Sequence, residues 1–579
     1  MIYKLLAVDL DGTLLTKFKT ITKKDLKALK QYSQKNGEIL ICTGRSFDNA
    51  KKYISTIEKY IGKKLKYVAA LCGAAIHTDN NNHISYAPID YETTKLIIKK
   101  TKELGMNFGL YDVDYDNNKV IYINDNCPLI YRLFFRKYSL KKIGNKEKLL
   151  PALKINVASL SSKKVKQFIE WANKTLSDKI SISNTLKNVF LEIYSKQSSK
   201  GIAIEKIANK LNIPLSQTAA IGDSGNDITA FNTVKFSCLL GNNNAKKIAC
   251  QHFRTKHNGV SRFINKFILN DRNDKAKFLI SDLDGTLLND ANKTIDKDVV
   301  ECINKHIGDK IPFFAISSGR NIIDSYRFLK QLNFSNNIRQ FIIANNGALI
   351  YDVNNKKVIY TKCIDKKIVF KLINAIIKSY KSKKYGEFGS FIHVFNKRLI
   401  NTSIKTNLKC LPPMYAINRE YMIRGITKNN KSFLTNVPTS NMFELDNANE
   451  IKYQVAKILI YFDDQNKCNK FNETVINKYS SFLSISKSGP SCIEINAKWV
   501  NKGNGVKKVC KKMKCSPLEA IICGDENNDI SMLKLSNWSF TLKKSNNNVK
   551  NSSIYNLDSK CSTIVKQALT LYDKMWGKK

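Results

Sequence analysis

The chain contains the heptapeptide DLDGTLL twice, at residues 9–15 and at residues 282–288. Three more pairs of matching segments follow it, in the same order in both halves of the chain. These pairs are ICTGR (41–45) with ISSGR (316–320), LEIYSKQSSKG (191–201) with IEINAKWVNKG (493–503), and GDSGNDI (222–228) with GDENNDI (524–530). Repetition of several segments in one order indicates an internal duplication, so the chain is predicted to fold as two related units.

The distances between the repeated segments separate a constant core from a variable insert. From the motif lysine to the first aspartate of the last motif there are 23 residues in both copies. The second and third motifs, in contrast, are 157 residues apart in the first copy and 184 in the second. We therefore predict two units, each a core that carries an inserted cap. The predicted parts are residues 1–270 (core 1–83 and 189–270, cap 84–188) and residues 271–579 (core 276–356 and 489–579, cap 357–488).

Short apolar runs end where the polar motifs begin, which is typical of buried parallel strands. Such runs lie at Leu5 to Val8, Ile39 to Cys42 and Ala219 to Ile221, and the second copy repeats them. Apolar residues at helical spacing follow each motif lysine. The alternation of strand and helix predicts an α/β fold, with a doubly wound, Rossmann-like parallel sheet in each core and an α/β cap. In such sheets the functional site forms at the carboxyl ends of the strands, where all four motifs fall.

The formal net charge of +48 raises the possibility of a polyanionic partner. Only 12 of the 96 basic residues are Arg, however, and Arg is the residue that nucleic-acid recognition favours. We interpret the lysines as a solvated surface and expect no nucleic-acid partner. No apolar run approaches the length of a membrane span, and no signal-peptide cleavage site follows the first residues. We expect a cytoplasmic protein without a membrane partner; the oligomeric state stays open.

The acidic residues of the motifs indicate a magnesium site. Asp9 and Asp11 follow the first strand, and two residues that are two apart in an extended segment point the same way. Carboxylates this close repel one another unless a cation lies between them. Asp223 and Asp227 bring more hard oxygen ligands to a neighbouring strand end, and such ligands suit Mg²⁺.

The remaining motif residues suit a phosphoryl group. Lys200 supplies a compact positive charge, and the hydroxyl of Thr43 can donate a hydrogen bond to a phosphoryl oxygen. From these parts we infer phosphoryl transfer through a covalent aspartyl intermediate, in which one carboxylate attacks phosphorus and the other acts as general acid and base. A single DxDG segment could be an ordinary turn or helix cap, but four ordered motifs that occur twice argue against that interpretation.

Together, the four motifs resemble those of the haloacid dehalogenase superfamily. Their order and spacing are similar to those of the Cof-type phosphatases, in which a large α/β cap is inserted between the second and third motifs. The resemblance implies Mg²⁺ as cofactor, Asp9 as nucleophile and Asp11 as general acid and base. It implies phosphoryl-binding roles for Thr43, Lys200 and Asn226, and metal ligation by Asp9, Asp11, Asp223 and Asp227. The second copy implies the same roles for Asp282, Asp284, Ser318, Lys502, Asn528, Asp525 and Asp529.

The two copies differ in the loop that follows the next strand. The family commonly has Asn-Gly-Ala there, and the second copy keeps it with Asn346 as the first residue. The first copy has Cys72 instead, which puts substrate positioning in the first site in question. We interpret Cys72 as a small apolar filler rather than as a nucleophile.

We therefore expect a Mg²⁺-dependent phosphatase that hydrolyses phosphomonoesters of small metabolites, with two sites in one chain. Sugar phosphates, nucleotides and phosphorylated cofactors all stay open as substrates. Two alternatives also stay open. One is a phosphotransferase or phosphomutase of the same superfamily, which would pass the phosphoryl group to an acceptor hydroxyl. The other is a basic nucleic-acid-binding or regulatory protein with one or both sites inactive.

Overall fold

The computed structural model divides the chain into two compact units, Met1–Asp271 and Arg272–Lys579. Each unit contains one eight-stranded and one six-stranded sheet. The residues that the structure describes are 2–78, 83–114, 120–132, 139–145, 149–185, 189–269, 275–289, 294–308, 310–335, 337–398, 400, 404, 414–418, 422, 442–487, 489–558 and 560–576.

The core of the first unit is a sheet with strand order β14-β13-β12-β1-β2-β3-β4-β5. The six strands from β14 to β3 run parallel, and β4 and β5 add antiparallel pairs at one edge. The strands are β1 Leu5–Val8, β2 Glu38–Cys42, β3 Tyr67–Ala70, β4 Ala75–Thr78, β5 His83–Tyr86, β12 Thr218–Gly222, β13 Phe236–Leu240 and β14 Gln251–Phe253. The core helices are Lys23–Gln34, Phe47–Ile61, Lys200–Lys210, Ile228–Thr233 and Gly259–Phe263.

The cap of the first unit is an α/β layer inserted between β5 and the helix Lys200–Lys210. Its sheet has the order β10-β11-β9-β6-β7-β8, and all of its pairs are antiparallel except that of β7 with β8. The strands are β6 Asn107–Asp112, β7 Val120–Ile123, β8 Ser139–Lys142, β9 Ala152–Ala158, β10 Ile180–Thr185 and β11 Phe190–Ser195, with helices Tyr91–Glu103, Leu129–Arg132 and Ser162–Thr175.

The second unit has the same core arrangement, with strand order β19-β18-β17-β16-β15-β26-β27-β28. Its core strands are β15 Phe278–Ser281, β16 Phe313–Ser317, β17 Arg339–Ala344, β18 Leu349–Asp352, β19 Lys357–Thr361, β26 Ala520–Cys523, β27 Trp538–Leu542 and β28 Tyr555–Leu557. Its core helices are Lys297–His306, Ile322–Gln331, Lys502–Lys512, Ile530–Leu533, Asn547–Ser552 and Ile564–Trp576. The most central strand, β15, is wholly buried, as a strand covered by helices on both faces must be.

The cap sheet of the second unit has the order β22-β21-β20-β23-β25-β24. Its strands are β20 Phe388–Phe395, β21 Met414–Ile417, β22 Met442–Glu444, β23 Gln454–Phe462, β24 Leu483–Lys487 and β25 Cys492–Ala497, and its helices are Lys366–Lys381 and Gln465–Phe471. The predicted fold class, two doubly wound cores with inserted α/β caps, is confirmed. Among the described residues, every helix is too short or too polar to cross a lipid bilayer.

Four strands belong to a different part of their unit, core or cap, from the part predicted for them. β5 and β19 pair with core strands, although residues 84–188 and 357–488 were predicted as cap. β11 and β25 pair with cap strands, although they follow the predicted caps. Strand membership depends on hydrogen bonds to a distant segment, which local patterns do not show. The structural caps therefore contain the third repeated motif up to its lysine-bearing helix.

Candidate active site

A group of carboxylates lies at the carboxyl ends of the central strands in the first unit. Asp9 directly follows β1, and Asp223 and Asp227 follow β12. One oxygen of each carboxylate lies within 4.8 Å of one oxygen of the others. β1 and β12 are parallel neighbours, so the chain brings residues more than 200 positions apart to one point.

The buried Lys200 connects two of these carboxylates. Its Nζ atom lies 2.7 Å from Asp9 Oδ1 and 2.6 Å from Asp227 Oδ1. Lys200 is the first residue of its helix, and the side chain of Ser199 caps that helix by accepting a hydrogen bond from the backbone N–H of Ile202. The side chain of Lys200 is 1% exposed, and a charge buried to this degree requires partners such as these.

Asp227 also fixes the loop that carries Asp223. Its Oδ2 atom accepts hydrogen bonds from the backbone N–H groups of Asp223 and Ser224, at 2.9 and 3.0 Å. Both oxygens of Asp227 are therefore engaged, one by Lys200 and the other by the loop. Asp223 is engaged as well, through Oδ1 by the hydroxyl of Thr13 and through Oδ2 by an ion pair with Lys256. Asp227 mainly orients its neighbours.

The electrostatics of the cluster favour a cation. Burial raises the pKa of Asp9 to about 7, Lys200 opposes this rise, and the neighbouring carboxylates of Asp227 and Asp223 add to it. Burial also raises the pKa of Asp223. An all-oxygen donor set with repelling charges is the environment in which Mg²⁺ binds, so the residues present fit this ion.

The second unit builds the same cluster from Asp282, Asp525 and Asp529. Lys502 Nζ lies 2.8 Å from Asp282 Oδ1 and 2.6 Å from Asp529 Oδ1. Burial, together with Asp529, raises the pKa of Asp525 to about 8, and the pKa of Asp282 also rises well above its usual value. Asn501 caps the helix of Lys502 as Ser199 does in the first unit.

Asp11 and Asp284 do not share the direction of the nucleophile candidates, contrary to the prediction from spacing. The chain leaves the extended conformation after β1, and Asp11 instead forms a two-pronged ion pair with Arg45, at 2.5 and 2.7 Å. Arg320 holds Asp284 in the same way, at 2.8 and 2.6 Å. Burial acts to raise the pKa of Asp11, but the hydrogen bonds and charges of Arg45 and Lys19 outweigh it and lower that pKa.

The sequence analysis missed the role of these two arginines. The signal was present, because Gly-Arg follows the motif hydroxyl in both copies. A guanidinium fork matches a carboxylate in two-pronged geometry, so a repeated Arg near a repeated DxD motif indicates such a pair.

The motif hydroxyls lie in the loops that follow β2 and β16. Thr43 and Ser318 are both buried, and each accepts a hydrogen bond from the backbone N–H two residues further on. Thr43 also accepts, at its backbone carbonyl, the N–H of Cys72. Cys72 has the left-handed backbone of its counterpart Asn346, with φ of 55° and 57°. Burial raises the pKa of the Cys72 thiol, which keeps it neutral, in line with a filler role.

The two motif asparagines occupy the loops before the last motif aspartates. Asn226 Oδ1 accepts a hydrogen bond from Ser224 Oγ at 2.6 Å, and its amide nitrogen lies 3.9 Å from the sulfur of Cys72. In the second unit, the side-chain oxygen of Asn528 is buried without a hydrogen-bond partner among the described residues.

A second group that sequence analysis missed is a buried ion pair on each cap sheet. Lys154 on β9 pairs with Glu192 on β11, and Lys457 on β23 pairs with Glu494 on β25. Both glutamates belong to the third repeated motif. Glu192 lies three residues after residue 189, where the first core was predicted to resume, and Glu494 lies five residues after residue 489, where the second core was predicted to resume. Their repetition was the signal for this pair.

Comparison with known proteins agrees with this geometry. The family model of haloacid dehalogenase-like hydrolases matches residues 6–264 and again residues 279–569. A relative from Mycoplasma pneumoniae is 30% identical over 246 residues, which are 41% of this chain and 86% of that protein. The phosphatase YwpJ from Bacillus subtilis is 25% identical over 262 residues, which are 41% of this chain and 90% of that protein. Relatives of this length correspond to one unit.

Solved structures were found with the same family description. A haloacid dehalogenase-like hydrolase from B. subtilis is 22% identical and has a TM-score of 0.39, covering 46% of this chain and 100% of the other. One from Bacteroides thetaiotaomicron is 18% identical, with a TM-score of 0.39 and the same coverage. Because the family model matches almost the whole chain in two successive segments, this chain belongs to the haloacid dehalogenase-like hydrolases, with one copy of the family in each unit.

Proposed function

We propose that each unit is a Mg²⁺-dependent phosphatase that hydrolyses small phosphomonoesters through an aspartyl phosphate. The observation that carries this proposal is the buried group of Asp9, Asp223, Asp227 and Lys200, which recurs contact for contact in the second unit. Two copies of one arrangement of buried charges are costly to keep unless the arrangement has a function.

Asp9 and Asp223 would hold the proposed cofactor in the first unit, and Asp282 and Asp525 would hold it in the second. When bound, Mg²⁺ would neutralise the carboxylates and the developing charge of the phosphoryl oxygens. The family resemblance adds the main-chain carbonyls of Asp11 and Asp284 to this set. Asp227 and Asp529 support it through the loops that they fix.

In the first step, a carboxylate oxygen of Asp9 attacks phosphorus while the bond from phosphorus to the leaving oxygen breaks. The leaving oxygen takes the proton of the Asp11 carboxyl. In the second step, Asp11 removes a proton from water, the water oxygen attacks phosphorus, and the bond to Asp9 breaks. Inorganic phosphate leaves and the nucleophile is restored. Asp282 and Asp284 act in the same way in the second unit.

Asp11 must leave Arg45 before it can protonate the leaving oxygen. The Asp11 side chain is 40% exposed, so it can rotate without disturbing the packed core. Lys200, which contacts both Asp9 and Asp227, keeps the nucleophile in place and offers its positive charge to the phosphoryl group. Thr43 and Ser318 are proposed to donate their hydroxyl hydrogens to phosphoryl oxygens.

Rapid acid quenching followed by peptide mass analysis tests the intermediate. We expect phosphate on the peptide that contains Asp9 or Asp282 during turnover of a phosphomonoester with Mg²⁺. The matched control is Asp178→Asn, which alters an exposed cap carboxylate and should leave the signal intact. Turnover with no phosphorylated aspartate at either position would refute the mechanism. A product that forms only when an alcohol acceptor is added would identify the protein as a phosphotransferase.

A further inference from the structure

The helix Lys502–Lys512 of the second unit ends in a Schellman motif, a turn closed by two backbone hydrogen bonds. The N–H of Cys515 donates to the carbonyl of Cys510 at 3.0 Å, and the N–H of Lys514 donates to the carbonyl of Lys511 at 3.3 Å. Lys514 has the left-handed backbone of this turn, with φ of 54°. The side chains at the positions of Cys510 and Cys515 frequently make an apolar contact in such a turn.

The two side chains that meet across this turn are both thiols. The sulfur of Cys515 lies 3.6 Å from the carbonyl oxygen of Cys510, and the two thiol groups are in hydrogen-bonding contact. Both cysteines are reduced; Cys510 is buried and Cys515 is partly exposed. The hydrogen bond between their backbones keeps the two Cα atoms within about 7 Å, which is the reach of a disulfide bond.

The environment of Cys515 favours its reactive form. The contact with the Cys510 thiol lowers the pKa of Cys515 although burial opposes this shift, and the same contact raises the pKa of Cys510. Cys515 is therefore the thiolate of the pair, and Cys510 donates its hydrogen to it. Burial instead raises the pKa of the thiols of Cys42, Cys238 and Cys523, which keeps them protonated and unreactive.

The first unit has the same turn without thiols. The N–H of Ile213 donates to the carbonyl of Ala208 at 2.9 Å, and Asn212 between them has φ of 53°. Lys200 and Lys502 begin the two helices, so Ala208 matches Cys510 and Ile213 matches Cys515. The fold thus needs only an apolar contact at this place, and the thiol pair of the second unit is an addition to it.

We propose that Cys510 and Cys515 are a modification site that forms a reversible disulfide when a peroxide oxidises it. The sulfur of Cys515 attacks one peroxide oxygen, the O–O bond breaks, and a sulfenic acid and water form. The sulfur of Cys510 then attacks the sulfur of Cys515, the S–O bond breaks, and a second water leaves with the hydrogen of the Cys510 thiol. Two thiols and one peroxide give one disulfide and two waters, and a dithiol reductant restores the thiols.

The disulfide would clamp the C-terminal end of the helix that begins at Lys502. A covalent link across the turn restricts the opened states of this helix end, so the turn should open less often. The first unit cannot be modified in this way, because Ala208 and Ile213 occupy the matching positions. This inference does not depend on the proposed phosphatase function.

The test treats the full-length chain with hydrogen peroxide, blocks the remaining thiols with N-ethylmaleimide and analyses tryptic peptides by mass. We expect a peptide pair that is bridged through Cys510 and Cys515 and that dithiothreitol separates. Fragmentation of the peptides assigns the sulfur atoms, because Cys523 shares the tryptic peptide of Cys515. Cys510→Ala and Cys515→Ile, which introduce the residues of the first unit, should each abolish the bridge while thermal unfolding shows that the chain is folded.

Hydrogen–deuterium exchange of the same samples tests the clamp. Oxidation should slow exchange of the segment 511–516 at least about threefold and leave the matching segment 209–214 of the first unit unchanged. A bridge that dithiothreitol reverses, together with slower exchange confined to the second unit, supports the proposal. It is wrong if peroxide produces no bridge between these two cysteines, if it links other cysteines in equal yield, or if the bridged chain exchanges at the rate of the reduced chain.

Discussion

A Cβ atom placed on Gly12 would lie 2.2 Å from Asp223 Oδ2. Gly12 has φ of +77°, a left-handed conformation that other residues rarely adopt, and it belongs to the first repeated motif. The next residue, Thr13, donates its hydroxyl hydrogen to Asp223 Oδ1 at 3.3 Å. The loop of one motif thus holds the carboxylate of another, and a side chain at Gly12 would occupy the place of that carboxylate.

Gly12→Ala should therefore abolish Mg²⁺-dependent phosphate release by the first unit. The matched control is Gly62→Ala, because Gly62 has φ of +76° but no atom within 4 Å of its Cβ position. Backbone strain should lower the free energy of unfolding of each variant by about 1–2 kcal/mol, and Gly12→Ala should lower it further because its Cβ displaces Asp223. The two are compared in the Asp282→Asn chain by phosphate release and thermal unfolding. Equal activity of the two variants would show that the contact with Asp223 is unimportant.

Arg45→Gln should move the activity of the first unit to higher pH. Arg45 lowers the pKa of Asp11, so its removal raises that pKa and keeps the carboxyl protonated to higher pH. Because the leaving oxygen needs that proton, the alkaline fall of kcat/KM should occur later. Arg45→Lys keeps the positive charge but loses the two-pronged contact with Asp11, so it should shift the alkaline fall of kcat/KM less. The profile is measured in the Asp282→Asn chain, and an unchanged alkaline limb would exclude Asp11 as the general acid.

Lys200→Met should destabilise the first unit by about 3–5 kcal/mol, because it leaves two buried carboxylates without their counter-ion. Lys210→Met at the exposed end of the same helix is the control and should cost little. Urea unfolding measures both variants. Added Mg²⁺ should recover part of the loss only if the cluster binds the ion, so a Lys200→Met chain that Mg²⁺ does not stabilise would argue against the metal site.

His306 should make the stability of the second unit depend on pH. Its contacts with Cys302, then with Asp573, raise its pKa from 6.5 to about 9. The stabilisation by the charged imidazole is therefore complete below about pH 6.5 and is lost as the pH rises through about 9. Unfolding of the chain and of His306→Gln should differ most at low pH and converge above pH 9. A constant difference across this range would contradict the assignment.

The repeated motifs made much of the site predictable. Asp9 and Asp223 meet because each follows a buried parallel strand, and strand ends gather at one edge of the sheet. Lys200 joins them from the first position of its helix. The direction of Asp11 was not predictable from its spacing, because it depends on the turn at Gly12 and on Arg45.

Local sequence patterns also did not predict which sheet the strands at the cap borders join. Glu192 and Glu494 lie in strands that pair with distant cap strands, so their position beside the core loops follows from long-range hydrogen bonds. The replacement of Asn346 by Cys72 was visible in the sequence, but its coupling to Tyr194 across the cap was not, because the residues are 122 positions apart.

Phosphate release by Asp9→Asn, Asp282→Asn and the double variant tests the central claim most directly. Each substitution removes a nucleophile and conserves size, so folding should survive and each single variant should keep the activity of the other unit. The double variant should release no phosphate from any phosphomonoester in the presence of Mg²⁺. Mg²⁺-dependent release that persists in the folded double variant would contradict the account.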